Sequence, residues 1–135
     1  MLAGPSRARI EQIWNAFWSG GVSNPLSVIT GATLEQLYGQ PPLRELVSSC
    51  LHEALLTAAA YGARVSIDPQ TFLELGAGMG AVRTSMLQDY EKGRPLELAA
   101  IGDAVLELAD GMAIPMPVTR HLITLARFRG EHTPH

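Results

Sequence analysis

Leu43, Leu46, Val47, Cys50, Leu51, Ala54, Leu55 and Ala58 recur every three or four residues in a stretch opened by Pro41-Pro42 and closed by Gly62. That spacing puts all eight side chains on one face of a helix and does not match the two-residue period of a half-buried strand. An apolar face of this length must be covered by other elements, and the rest of the chain supplies more of the same kind. Ile10, Ile13, Trp14, Phe17 and Trp18 make a stripe on a helix beginning near Ser6, which Gly20, Gly21 and Pro25 interrupt, with Ser23-Asn24-Pro25 as a kink. Thr33 with Glu35 and Gln36 caps a short helix to Tyr38. Asp68-Pro69 opens another that runs through Leu75. Ser85-Met86-Leu87-Gln88 reads as a capping box with Ser85 as the cap, and Lys92-Gly93 ends that helix. Pro95 opens a helix striped by Leu98, Ile101, Val105 and Leu108, and Val118, Leu122, Leu125 and Ala126 stripe the last one after Pro115 and Pro117. No segment alternates with period two. The pattern predicts an all-α chain, a compact bundle of about seven helices in one domain over residues 1–135, with a disordered tail from about residue 130.

With 135 residues, 47% of them hydrophobic, there is material for one core. A net charge of -3 without clustered cations argues against nucleic acid or an anionic membrane as a partner. Cys50 is the one cysteine, so no internal disulfide can form, and its place on a helix face suggests a reducing, cytoplasmic setting. No apolar run approaches the roughly 18 residues of a membrane span, and no secretory leader is expected. His52 and His121 sit beside helix stripes and His132 and His135 in the tail, without metal-ligand spacing. Trp14 and Trp18 are expected to fill the core or a partner interface.

Leu73-Glu-Leu-Gly-Ala-Gly-Met-Gly80 has the look of the glycine-rich loop that cradles S-adenosylmethionine after a parallel strand. Such a fold needs further strand-helix-strand units, and the 55 residues after Gly80 carry only helical patterns. The segment is therefore expected to be a helix end where two helices pack closely.

Three separated segments carry a more specific signal: Ile13-Trp14 with Ser23-Asn-Pro-Leu-Ser-Val-Ile-Thr-Gly-Ala-Thr-Leu34, then Arg83-Thr-Ser-Met-Leu-Gln-Asp89, then Gly93-Arg-Pro-Leu-Glu97. Together with Ile114-Pro-Met-Pro-Val118 before the closing helix, they resemble the helical C-terminal domain of the ketopantoate reductase (2-dehydropantoate 2-reductase) family over nearly the whole chain. The resemblance implies a protein that reduces a 2-keto acid with NADPH. A Rossmann domain, for which this chain shows no cofactor-binding residues, would hold the cofactor, and the helical domain would close the cleft. By position, Asn24 and Ser85 correspond to substrate-binding residues and Glu97 to the catalytic glutamate beside them. An amide and a hydroxyl suit a carboxylate and a hydroxyl group, and a carboxylate can orient a base or accept from a substrate hydroxyl. Each residue also has a local reading: Asn24 satisfying backbone at the kink, Ser85 as a helix cap, Glu97 favoured by the dipole at the third position of a proline-started helix.

The departures are as informative. The family's proton-donating lysine falls on Ala16, and the single lysine, Lys92, lies elsewhere in the chain. A further polar position falls on Gly20, and a commonly acidic one on Ala99. The resemblance thus implies a substrate-binding and dimerisation module, with a 2-keto or 2-hydroxy acid as ligand and a second copy or a Rossmann domain as partner, not a reductase by itself. The alternative is a repurposed domain in which Glu97 carries out non-redox proton transfer on a small carbonyl or carboxylate compound. A third is a purely structural helical dimer.

Overall fold

The protein is described from a computed structural model over residues 5–62 and 68–132. His135 and the end of the expected tail lie outside these residues. Eight α-helices and two π-helical turns make up the described chain, and no strand occurs among the described residues.

Helix α1 (Arg7–Ala16) starts at Ser6, whose hydroxyl accepts from the Arg9 N–H, and buries Ile13 and Trp14. Its continuation widens into a π turn at Phe17–Gly21 before the chain restarts as α2 (Asn24–Thr30), with Pro25 in the first turn and Gly31 in the left-handed conformation at its end. The expected kink is thus a break and a new helix, which is why eight helices stand where seven were expected. A proline in the first helical turn sacrifices no intrahelical bond, so the position that bends one helix can equally begin the next.

α3 (Leu34–Gly39) has the reciprocal capping box of Thr33 and Gln36. α4 (Pro41–Ala60) is the long striped helix and buries Val47, Cys50, Leu51, Ala54 and Ala58, as its spacing predicts. α5 (Pro69–Ala77) is capped by Asp68. α6 (Ser85–Glu91) begins one residue earlier than expected from the Ser85 capping pattern. Thr84, not Ser85, is the cap, because its hydroxyl takes the Leu87 N–H.

The largest departure follows Pro95. No helix forms at Pro95-Leu96-Glu97; the chain turns helical at Leu98, passes through a second π turn (Ala99–Asp103) and becomes α7 (Ala104–Gly111). Glu97 therefore precedes the helix, and its carbonyl accepts the Ile101 N–H. The dipole argument for it at a third helical position does not hold. The last helix, α8 (Pro117–Glu131), runs through Gly130, one residue past the expected start of the tail. Its C-cap, His132, stacks on Phe128 at 4.1 Å. Leu125, counted in the apolar stripe, is 52% exposed; Thr119 and Ile123 join Leu122 and Ala126 inside.

The core runs between α2 and α8, with α4 against α8 and α3 wedged between α4 and α5. Phe17, Leu26, Leu37, Leu51, Met116 and Ile123 are wholly enclosed. The N-terminus of α8 is capped from α4: Glu53 accepts from the Val118 and Thr119 N–H groups and from the Thr119 hydroxyl, at 2.9, 2.8 and 2.7 Å. No described helix is long and apolar enough to cross a membrane.

Candidate functional site

The two π turns lean on one another. A Cβ on Gly21 would stand 2.5 Å from the Phe17 ring and 2.6 Å from the Ile101 carbonyl oxygen, so only glycine lets the backbones approach this closely. On the other side of the second turn, Gly102 lies under Ile123 of α8. π turns inside helices are frequently found at functional sites. Here they bring the end of α1, the start of α2 and the segment after Glu97 into one neighbourhood.

Asn24 sits at the first position of α2 and is 7% exposed. Its carboxamide fills the space a side chain at position 20 would need: a Cβ on Gly20 would meet Asn24 Nδ2 at 2.6 Å. Its side chain makes no hydrogen bond to any described residue. The carboxamide is not wholly cut off from solvent; among the described residues the buried side-chain polar atom left without a partner is Trp14 Nε1. Without a bond to the backbone, the local reading of Asn24, a side chain tending the kink, finds no support.

α2 and α6 are joined by a buried chain of hydroxyls. Ser27 Oγ donates to the Asn24 carbonyl at 2.6 Å and lies 2.6 Å from Thr84 Oγ1. Since the single Ser27 proton is committed, Thr84 is the donor of the second bond. Thr84 Oγ1 in turn accepts the Leu87 N–H at 3.1 Å. The chain thus runs from the residue bearing the Asn24 amide to the residue immediately before Ser85. Ser85 itself is exposed at the first position of α6.

Glu97 is exposed, and its carboxylate has no hydrogen-bond partner among the described residues. A depression of about 340 Å³ flanks it, lined by Pro95, Leu96, Leu98, Ala99, Asp103, Arg127, Gly130 and Glu131. Neither Asn24 nor Ser85 lines that depression; α2 and α6, which carry Asn24 and Ser85, pack together, but the three residues are not brought into one pocket. Ala16 ends α1, half-buried, directly before the first π turn. Lys92 is exposed at the end of α6, in a groove with Ala81, Arg83, Gln88 and Glu91, all remote in sequence from α1.

The glycine-rich segment does not fit a nucleotide. Gly76 and Ala77 finish α5, and a Cβ on Gly76 would stand 2.6 Å from the Tyr38 ring, the close helix contact expected of it. The carbonyls of Gly80 and Val82 accept the Glu35 and Leu34 N–H groups, capping α3 from outside. The backbone there is occupied within the fold and offers no cradle for a pyrophosphate.

Ser27 and Thr84 carry no motif that singles them out. They lie 57 residues apart, and only the packing of α2 on α6 makes them a pair. The visible hints were Ser27 one turn after Asn24, and the choice of two hydroxyl residues, Thr84 and Ser85, as possible caps.

Comparison with known proteins agrees with this architecture. A family model describing the ketopantoate reductase PanE/ApbA C terminal matches residues 10–130. A 2-dehydropantoate 2-reductase of Mesorhizobium japonicum is 33% identical over 127 residues, which are 93% of this chain and 39% of that protein. One from a Nostoc species is 31% identical over 78% of this chain and 32% of its own length. The chain spans well under half the length of these relatives. Among solved structures, a protein of the ketopantoate reductase type from Ralstonia solanacearum superposes with a TM-score of 0.81 at 28% identity, covering 92% of this chain and 38% of that one. A 2-dehydropantoate 2-reductase from Geobacter metallireducens does so with a TM-score of 0.74, also at 28% identity, over 89% and 39%. The chain belongs to the family of ketopantoate reductase C-terminal domains.

Proposed function

We propose that this chain is the substrate-holding half of a reductase architecture, binding a small 2-keto or 2-hydroxy acid through the Asn24 carboxamide and the Ser85 hydroxyl, with Glu97 at the rim to accept from a substrate hydroxyl. The observation that supports the reading best is the Asn24 side chain, which is 7% exposed as a residue, makes no hydrogen bond to a described residue and keeps its polar atoms within reach of solvent, where a ligand can meet them. A site built to hydrogen-bond a ligand keeps such a group unsatisfied until the ligand arrives. NADPH, which the family resemblance implies for hydride transfer, is assigned to no residue of the glycine-rich segment, whose backbone is occupied by packing and helix capping.

By position in the resemblance, the family's proton donor falls on Ala16, which can neither give nor take a proton. Loss of a positioned acid slows proton transfer by about 100- to 10,000-fold. The chain's contribution is accordingly binding and orientation. Glu97 is exposed and its carboxylate makes no hydrogen bond or ion pair with a described residue that would align it, so the non-redox proton-transfer reading draws no support from its surroundings.

Calorimetric titration of the chain with 2-dehydropantoate and with pantoate tests the reading. A hydrogen bond from a buried amide to a carboxylate is worth about 1.5–3 kcal/mol, so Asn24→Ala is expected to weaken binding about 10- to 100-fold. Failure of the wild-type chain to bind either acid at millimolar concentration would sink the proposal.

A further inference from the structure

Asn24 and Ser85 lie on different helices, and nothing in the backbone of either helix fixes one against the other. A ligand spanning them needs that distance held to within about 0.5 Å. The element that holds it is the pair Ser27 and Thr84. Both side chains are buried, Ser27 completely. Each uses its one proton and accepts one bond: Thr84 takes the Leu87 N–H and gives to Ser27, and Ser27 gives to the Asn24 carbonyl. The Ser27 hydroxyl lies one helical turn from the Asn24 amide, and Thr84 is the residue before Ser85.

Two plain alternatives account for less. If Thr84 were only a cap, it would need no contact with α2. If the two helices were held only by packing, an apolar pair at 27 and 84 would serve, and no desolvated hydroxyls would be placed 2.6 Å apart. A fully satisfied polar pair inside an otherwise apolar contact fixes one register between the helices, because any slide leaves two hydroxyls unpaired.

We infer that Ser27 and Thr84 are positioning residues that lock α2 against α6 and so set the spacing between the Asn24 carboxamide and the Ser85 hydroxyl for a 2-keto acid ligand. The inference rests on Asn24 and Ser85 being the ligand contacts.

The experiment compares 2-dehydropantoate affinity and thermal midpoint for the wild type and for Ser27→Ala, Thr84→Val, Thr84→Ser and Glu53→Gln. Ser27→Ala removes the bridge and leaves the α6 cap in place. Thr84→Val removes both, while Thr84→Ser retains every bond. Glu53→Gln weakens the α8 cap, which shares no hydrogen bond with this pair, and so reports the effect of lost stability alone. Positioning predicts about a tenfold loss of affinity for Ser27→Ala and Thr84→Val, with Thr84→Ser within about twofold of wild type and Glu53→Gln unchanged in affinity. Wild-type affinity in Ser27→Ala and Thr84→Val, measured below their melting points, would overturn the inference and leave the proposed function standing. If Ser27→Ala and Thr84→Val do not fold, Thr84→Ser decides the matter, since a tenfold loss there would contradict the assignment. A wild-type chain that binds no acid would remove the proposed function and this inference with it.

Discussion

Glu53 is the residue whose loss should be felt furthest from its own helix. One carboxylate oxygen accepts the Val118 N–H, and the other accepts both the N–H and the hydroxyl of Thr119, which is almost fully buried. α8 has no side-chain cap of its own, and its first helical residue is a proline. Glu53→Ala leaves the Thr119 donors without an acceptor in a place that water hardly reaches. A lost cap costs about 0.5–2 kcal/mol, and an orphaned buried donor about 1–3 kcal/mol. With the overlap between those two figures discounted, the loss is about 3 kcal/mol. At about 2.1 cal/mol/K per residue, unfolding 135 residues carries an entropy of about 0.28 kcal/mol/K, so the midpoint should fall by about 10 °C. Glu53→Gln keeps one accepting oxygen and should lose about half as much. Thermal unfolding followed by circular dichroism reads both. A fall below about 2 °C for Glu53→Ala would refute the claim that α4 caps α8.

Gly76→Ala should destabilise by about 1–2 kcal/mol in urea titrations, since the overpacking against Tyr38 outweighs the roughly 1 kcal/mol that alanine gains over glycine in a helix. Stabilisation would mean that α3 and α5 do not meet there. Ala113 has a φ of 54°, with the Ile114 N–H reaching back to the Ala109 carbonyl at the end of α7. Glycine suits that left-handed position, so Ala113→Gly should raise the midpoint by about 2–3 °C, and a decrease would count against the turn. Burial pushes the Cys50 thiol up from 9.0 to about 12, with Glu53 adding to the rise and a hydrogen bond with Thr119 opposing it. The native thiol should therefore resist a disulfide reagent at pH 8 until the protein unfolds. Because its proton is held more tightly in the folded state, the stability linked to Cys50 is complete below pH 9.0 and declines between pH 9.0 and about 12. Rapid native-state labelling at pH 8 would contradict its burial.

The helices were legible wherever a stripe was long or a cap unambiguous. α4 announced itself by eight apolar positions, and Thr33 and Asp68 mark their helices by side-chain chemistry alone. The misplacements share one cause: local signals that tertiary contacts overrode. Thr84 displaced Ser85 as the α6 cap because it also meets Ser27. Pro95 did not start a helix, and the turn after it widened where Gly102 passes under Ile123. Of the candidate site, the family resemblance supplied Asn24, Ser85 and Glu97. The burial and missing partner of Asn24, its packing against Gly20, and the Ser27–Thr84 bridge depend on distant segments meeting and had no trace in local spacing.

The central claim is that the Asn24 carboxamide waits for a ligand. Its side-chain NH2 resonances, assigned by comparison with Asn24→Ala, can be followed by NMR as 2-dehydropantoate is added to the labelled chain. The account predicts that this pair of signals shifts and saturates together with the Ser85 backbone amide. Signals that stay fixed while the acid reaches millimolar excess would contradict it.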